Sequence, residues 1–229
     1  MPIDSRKLAA AEAAAALVEP EMTVGLGSGS TATLAVAALG RRTAEGLRIR
    51  AVATSEQTAR QARELGIPLI DLDGSTALDL TIDGADEVEH ASLNLVKGLG
   101  GALLREKIVA ASTRRLVIVA DESKLVDHLG QDRLPIPVEV VPFGWQATAR
   151  RLTDLGAQWT QRLSDSGEPF RSDGGHLILD CRFDRPDALK LKEQLDSVVG
   201  VVEHGLFLGM TSQVFVGTAN GVVSLLRDR

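Results

Sequence analysis

The feature that most constrains the fold is a regular alternation of short strand-like and longer helix-like segments over the first 130 residues. The predicted strands are 23–27, 47–54, 67–72, 77–83 and 115–123, and the predicted helices are 5–18, 31–39 (closed by Gly40), 55–66 and 101–113. Strands that alternate with helices at short spacing favour parallel pairing. The sequence therefore predicts an α/β fold with a Rossmann-like, doubly wound, mostly parallel sheet.

The pattern changes near residue 131. Three prolines lie between residues 134 and 142, and the elements after them follow the order β-α-β-β-α-β, which is typical of ferredoxin-like domains. These elements are 134–142, 145–156, 157–163, 175–183, 185–200 and 201–209. We therefore predict a Rossmann-like catalytic domain from residues 1–130 and 206–229, with a small α/β domain, residues 131–205, inserted into it. The tail should add a strand, a turn and a further element to the first sheet.

Composition excludes several classes of protein. The 229 residues are 44% apolar and 24% charged, as in ordinary globular domains, and the net charge of -6 argues against a nucleic-acid-binding face. The single cysteine, Cys181, excludes an internal disulfide, and we expect it in the core. His90, His128, His176 and His204 lack ligand spacing, so no metal site is predicted. Without a signal peptide or an apolar span, a soluble cytoplasmic protein is expected.

The first candidate loop covers residues 25–31 and follows the first predicted strand. Its glycines allow backbone N–H groups to approach an anion, and the next helix begins there. The hydroxyls of Ser28, Ser30 and Thr31 would add donors. Two alternatives stay open: a tight turn with Ser30 or Thr31 as N-cap, and a dinucleotide loop with Glu56 as ribose ligand. The second is weakened because Ser30 occupies the third glycine position of G-x-G-x-x-G.

A second candidate is the acidic turn Asp83-Gly84-Ala85-Asp86-Glu87 at the end of another predicted strand. Two carboxylates beside a glycine suit binding of hydroxyl groups and proton transfer. The alternative is a solvated turn in which Asp86 caps a helix.

The third candidate is the segment Lys97-Gly98-Leu99-Gly100-Gly101 and the helix after it. Its glycines again form an anion cradle, in which Lys97 would stabilise an oxyanion. Glu106 has only apolar helical neighbours three and four positions away. Desolvation on such a face makes a carboxylate a candidate base near neutral pH. Alternatively, Glu106 reaches water or pairs with Arg105 or Lys107.

A fourth candidate is Lys124, just after the predicted strand 115–123. It would hold a phosphate or a hydroxyl, and the alternative is a surface lysine in a turn.

Four motifs now stand in one order: GLGSGSTA, DGADEV, KGLGGALLREK and ADESK. Together with TSEQT, LPIPVEVVPF and VFVGTANGV, they resemble the ribose-5-phosphate isomerases of the A type. The resemblance covers essentially the whole chain. It implies metal-independent interconversion of ribose 5-phosphate and ribulose 5-phosphate in the non-oxidative pentose phosphate pathway, without a cofactor, in a homodimer or homotetramer.

The resemblance also implies residue roles. Glu106 matches the base that moves a proton through an enediolate, Lys97 would stabilise that enediolate, and Asp83 would act with them. The implied substrate-binding residues are Ser28, Gly29, Ser30, Thr31, Asp83, Gly84, Ala85, Asp86, Lys97, Gly98, Leu99, Gly100 and Lys124. The competing hypotheses are a non-enzymatic sugar-phosphate sensor of related fold and an NAD-dependent enzyme. The sensor would lack the base or the lysine.

Overall fold

The computed structural model describes residues 1–74, 76–131, 134–184 and 186–227. These residues form two compact units. The first unit comprises Met1–Ala85, Arg105–Leu125 and the described residues from Gly209 onward, and the second comprises the described parts of Asp86–Leu104 and Val126–Leu208.

The helices are α1 Ile3–Ala15, α2 Ser30–Ala44, α3 Glu56–Glu64, α4 Leu103–Ala111, α5 Trp145–Asp154 and α6 Ala188–Asp196. The strands are β1 Thr23–Leu26, β2 Arg50–Ala53, β3 Leu80–Gly84, β4 Glu87–Glu89, β5 Leu95–Val96, β6 Leu116–Asp121, β7 Leu125–Val126, β8 Ile136–Val140, β9 Gln158–Gln161, β10 Leu177–Arg182, β11 Val201–His204, β12 Leu206–Phe207, β13 Thr211–Thr218 and β14 Gly221–Leu226. Among the described residues, no helix is both long enough and apolar enough to cross a membrane.

A six-stranded sheet forms the centre of the first unit, in the order β14-β13-β6-β3-β1-β2. Five of these strands, β1, β2, β3, β6 and β13, pair in parallel, and β14 joins through an antiparallel hairpin with β13. This confirms the predicted mostly parallel sheet and the return of the tail to it. Parallel pairing places the carboxyl ends of β1, β2, β3 and β6 at one edge, which is where such sheets bind ligands.

Helix α1 packs directly on this sheet. Its alanine-rich sequence buries Ala10, Ala11, Ala14 and Ala15. A Cβ added to Gly217 on β13 would lie 2.0 Å from the carbonyl oxygen of Arg6. The helix backbone therefore touches the sheet, and this close packing fixes the start of α1.

Two element predictions in the first unit were wrong. Helix α2 does not end at Gly40 but continues to Ala44, because Gly40 serves helix packing: an added Cβ would lie 2.8 Å from Leu65 Cβ. The predicted strand 67–72 is only an isolated bridge between Leu69 and Ala51. Pro68 contributes a carbonyl to this contact but has no N–H to extend the ladder.

The second unit contains the predicted β-α-β-β-α-β order, formed by β8, α5, β9, β10, α6 and β11 in an antiparallel sheet of order β11-β8-β10-β9. Its core includes the buried Cys181 and a T-shaped Trp145–Trp159 pair with ring centroids 5.9 Å apart. Burial raises the pKa of the Cys181 thiol to about 12.

The predicted strand 201–209 is divided at Gly205. There the Gly205 N–H donates to Pro137 O, and its carbonyl accepts from Lys97 N–H. A short sheet of order β12-β5-β4-β7 was not predicted. The described residues of 131–205 fall within the second unit, which also contains 86–104, 126–130 and 206–208. Their assignment as a separate inserted domain stays a prediction. Arg185, where the last predicted helix began, lies outside the described residues.

Candidate active site

The loop after β1 is held by the carboxylate of Asp83. Asp83 is buried, and its Oδ1 accepts the Ser28 N–H at 3.0 Å and the Gly84 N–H at 2.8 Å. A Cβ on Gly27 would lie 2.2 Å from that oxygen, so only glycine fits there. The strand-end aspartate is therefore part of the architecture of the glycine loop, and its position is fixed by backbone donors.

The side chain of Ser28 is directed into the protein. Its hydroxyl lies 2.7 Å from Thr54 Oγ1, 3.0 Å from Ser55 Oγ and 3.2 Å from Thr58 Oγ1. Ser55 is also the N-cap of α3, since it accepts the Thr58 N–H. The TSEQT motif thus supports the loop from behind through a network of hydroxyl groups.

The loop ends at the N-terminus of α2. Gly29 has φ = +94°, which turns the chain into the helix that begins at the exposed Ser30. The first N–H groups of a helix have no partner within it and favour anions. Lys7 of α1 donates to Ser30 Oγ at 3.3 Å. The ammonium of Lys7 therefore reaches the start of α2. Lys7 was not among the site residues predicted from the sequence.

Glu106 lies in the first turn of α4 and is 3% exposed, as predicted for a carboxylate on an apolar face. A Cβ on Gly25 would lie 2.8 Å from Val109 Cγ1, so α4 packs against β1 near its carboxyl end. Glu106 precedes Val109 by about one helical turn. The helix N-terminus favours the anionic form that a base requires.

The residue before Glu106 forms a separate ion pair. Arg105 Nη1 lies 2.9 Å from Glu56 Oε1. The hydrogen bond and the charge of Arg105 hold the pKa of Glu56 below its usual value. Glu56, the ribose ligand of the dinucleotide hypothesis, is thus engaged with Arg105. A cavity of about 620 Å³ lies beside this pair, and its lining does not include Glu106 or Asp83.

Lys124 ends the 3-10 turn Glu122–Lys124, which directly follows β6. The carboxylate of Asp121 caps this turn by accepting the Ser123 N–H at 3.0 Å. Glu122 pairs with Arg6 of α1. Lys124 is half-buried and follows a strand whose carboxyl end lies at the same sheet edge as the glycine loop.

The remaining candidates come together in the second unit. Asp86 Oδ2 accepts the Leu99 N–H at 2.9 Å, and Asp86 N–H donates to Val96 O at 2.8 Å. Lys97 is 3% exposed, and its Nζ lies 5.5 Å from the ring centroid of Phe207. The aromatic face stabilises the buried cation. Gly98 follows with φ = +99° and turns the chain.

One group in this unit has side chains of the types that bind metals. Single ligand atoms of Asp196, Glu203 and His204 lie within 4.8 Å of one another. His204 Nδ1 accepts the Leu206 N–H at 3.2 Å, which leaves the proton on Nε2, 3.0 Å from Asp196 Oδ1. Burial raises the pKa of Asp196, but hydrogen bonds from Lys192 and His204 outweigh it and lower the pKa. In this arrangement the three side chains form a hydrogen-bonded cluster in which Nε2 donates to Asp196.

The family of this chain is identified by its similarity to known proteins. Residues 50–221 match the family model of ribose 5-phosphate isomerase A (phosphoriboisomerase A). The chain belongs to this family. A ribose-5-phosphate isomerase A of Thermomicrobium roseum is 55% identical over 230 residues, covering 100% of this chain and 97% of the relative. The isomerase A of a Synechococcus strain is 54% identical over 224 residues, covering 97% of each chain.

Solved structures of the isomerase family have the same fold. The ribose 5-phosphate isomerase A of Methanocaldococcus jannaschii matches with a TM-score of 0.94 at 39% identity, covering 98% of this chain and 99% of the other. A D-ribose-5-phosphate isomerase in complex with phospho-erythronic acid also has a TM-score of 0.94, at 38% identity, covering 99% of this chain and 100% of the other. These matches confirm the family resemblance and the α/β fold class.

Proposed function

We propose that Glu106 is the general base of an aldose–ketose isomerisation, assisted by Lys97, Asp83 and Asp86. The chain is an isomerase of ribose 5-phosphate and ribulose 5-phosphate, which follows from its family membership. The observation that carries the assignment of the base is the burial of Glu106 in the first turn of α4, where it is shielded from water. A carboxylate in such a place suits proton transfer near neutral pH.

The reaction needs one proton to move between neighbouring carbons. Glu106 takes the proton from C2 of the open-chain aldose, and the C–H electrons form the C1=C2 bond of an enediolate while O1 gains negative charge. The proton of the C2 hydroxyl moves to O1 as the C2–O2 bond becomes a carbonyl, and the electrons of the C1=C2 bond take the proton back from Glu106 at C1, which completes the ketose. Lys97 stabilises the enediolate oxygen. Asp83 and Asp86 bind sugar hydroxyls, assist ring opening and move protons between oxygens. No step requires a redox cofactor.

We assign the phosphate to the start of α2. The support is the loop 28–31, whose helix N-terminus favours an anion, together with Lys7 on Ser30. Lys124, at the same sheet edge, supplies a second cation. The backbone of the loop and the hydroxyls of Ser30 and Thr31 then act as donors, while the Ser28 hydroxyl braces the loop from behind.

The test is Glu106→Gln, with Glu12→Gln on the exposed face of α1 as the matched control. Conversion of ribose 5-phosphate is followed with EDTA present, and incorporation of deuterium from D₂O is measured in parallel. We expect Glu106→Gln to stay folded and to lose roughly 100-fold or more in kcat, with a parallel loss of exchange. Turnover near that of the wild type would refute the assignment of the base. No turnover by the wild type, with thermal stabilisation by the sugar phosphate, would favour the sensor hypothesis.

We further propose that the enzyme acts in the cytoplasm as a homodimer or homotetramer, without nucleic-acid or membrane partners. The net charge of -6 supports the lack of a nucleic-acid face. Light scattering after size-exclusion chromatography would determine the subunit number.

A further inference from the structure

Arg162, the residue after β9, holds the loop that follows Lys97. Its side chain is 13% exposed and forms a two-point ion pair with Asp180 of β10, in which Nε donates to Oδ2 at 2.9 Å and Nη2 donates to Oδ1. The remaining nitrogen, Nη1, donates to the carbonyl oxygen of Gly98 at 3.0 Å and to that of Leu99 at 2.9 Å. One guanidinium thus joins the antiparallel sheet to two successive peptide groups.

These contacts fix the orientation of the loop amides. In a planar trans peptide, the carbonyl and the following N–H point in opposite directions. With the Gly98 carbonyl directed at Arg162, the Leu99 N–H is directed to the other side, where it donates to Asp86 Oδ2 at 2.9 Å. Arg162 and Asp86 therefore hold opposite ends of one peptide group. The Leu99 carbonyl contacts the same nitrogen, so the Gly100 N–H also points away from Arg162.

The far end of the loop is braced from the same direction. The guanidinium carbon of Arg162 lies 6.0 Å from the centroid of Phe170. A Cβ on Gly101, whose φ is +85°, would lie 2.5 Å from Phe170 Cζ. The Gly101 N–H closes the turn onto Gly98 O at 2.9 Å. The segment from Gly98 to Gly101 is thus held at both ends.

We infer that Arg162 is a positioning residue of the isomerase, which orients the Lys97–Gly100 loop and through it the Asp86 carboxylate and the Lys97 ammonium. This inference rests on the proposed function, which gives Asp86 and Lys97 their roles. Arginine is required because its planar fork binds both carboxylate oxygens and still has a nitrogen for the carbonyls. Lysine has a single ammonium centre and cannot make both sets of contacts in this geometry.

The experiment compares Arg162→Met, Arg162→Lys and Asp180→Asn with the control Arg151→Met. Arg151 is an exposed arginine of α5 in the same unit, and it donates to one carbonyl, that of Val199, at 3.2 Å. For each variant, kcat and KM for ribose 5-phosphate and the melting temperature are measured. We expect Arg162→Met to lose roughly 10- to 100-fold in kcat, because a misplacement of about 1 Å costs that much. Its KM should change less than its kcat, since the proposed phosphate site lies on other elements and still anchors the substrate.

Arg162→Lys should lose less kcat than Arg162→Met. Asp180→Asn should also lower kcat, but by less than Arg162→Met. Asp180→Asn keeps Arg162 and the side-chain shape, so it also serves if Arg162→Met does not fold. The inference is overturned if Arg162→Met keeps the kcat of the Arg151→Met control. It is also overturned if Arg162→Met lowers kcat and the melting temperature together and Arg162→Lys restores neither. That result would identify a general structural role for Arg162. A wild type that does not turn over ribose 5-phosphate would refute the proposed function itself, and the inference with it.

Discussion

Asp83 Oδ1 accepts the backbone N–H of Ser28 at 3.0 Å, across 55 positions of sequence. The same oxygen accepts the Gly84 N–H at 2.8 Å. One buried carboxylate therefore ties the loop after β1 to the end of β3. Asp83 has two functions in this arrangement, because it shapes the loop and, in the proposed reaction, binds the sugar.

Replacing Asp83 should separate these functions. Asp83→Ala leaves two N–H groups without their acceptor, at a cost of roughly 1–3 kcal/mol for each buried group. Asp83→Asn keeps an oxygen that can accept both N–H groups but removes the charge. We expect urea titration to show a much smaller loss in free energy of unfolding for Asn than for Ala, while both variants lose activity. Full activity of Asp83→Asn would mean that the charge is not used.

Gly27 and Gly29 should differ in tolerance although they lie two positions apart. In Gly27→Ala, the new Cβ would lie 2.2 Å from Asp83 Oδ1 and 2.5 Å from Asp83 Cα. Such overpacking costs roughly 1–3 kcal/mol or more, since backbone has to move. In Gly29→Ala, nothing lies within 4 Å of the Cβ, and only the φ of +94° is strained. The free energy of unfolding should fall further for Gly27→Ala, and an equal fall for both would contradict this packing argument.

The sequence predicted those parts of the site that follow from local pattern. The loop after β1, the DGAD turn, the Lys97 loop and Glu106 all lie where a strand ends or a helix begins, and glycines and acidic residues mark such positions. Parallel pairing then explains why the loops after β1, β3 and β6 share one sheet edge. The short strands β4 and β5 were not predicted, because three and two residues are too few to show a period.

Contacts between distant segments could not be predicted. Lys7 reaches Ser30 from a different helix, and nothing in the alanine-rich sequence around it marks that contact. Gly40 resembles a helix stop, but it sits within α2 because Leu65 packs against it. The direction of the Ser28 side chain could not be predicted either. Its hydroxyl was expected to donate to a ligand, whereas in the structure it contacts Thr54, Ser55 and Thr58.

Lys7→Met should weaken substrate binding more than it slows the chemical step. The ammonium of Lys7 lies at the start of α2, where the phosphate is assigned, and it is not one of the proton-transferring groups. We expect KM for ribose 5-phosphate to rise roughly 10- to 100-fold, as for loss of a charge-assisted hydrogen bond worth about 1.5–3 kcal/mol, while kcat changes little. Lys190→Met, at an exposed position of α6, is the control. The rise in KM should shrink at high salt, since screening weakens the wild-type contact.

Cys181 should be an unreactive thiol whose burial affects stability only at high pH. Burial raises its pKa to about 12 in the folded protein, whereas the pKa of a cysteine in the unfolded chain stays near the ordinary value of 9.0. Below pH 9 the thiol is protonated in both states and adds no pH dependence. Between about pH 9 and 12 only the unfolded state loses the proton, so the free energy of unfolding falls by about 1.4 kcal/mol per pH unit within that window.

This dependence is measured as the difference in free energy of unfolding between the wild type and Cys181→Ala, so that other titrating groups cancel. Cys181→Ala leaves a small cavity and should be less stable than the wild type near pH 7. Its disadvantage should shrink as the pH rises above 9. A thiol reagent at pH 8 should modify the native protein far more slowly than the unfolded protein, because only a thiolate reacts and the folded site disfavours it. A pH-independent difference together with rapid native labelling would mean that Cys181 is accessible to solvent.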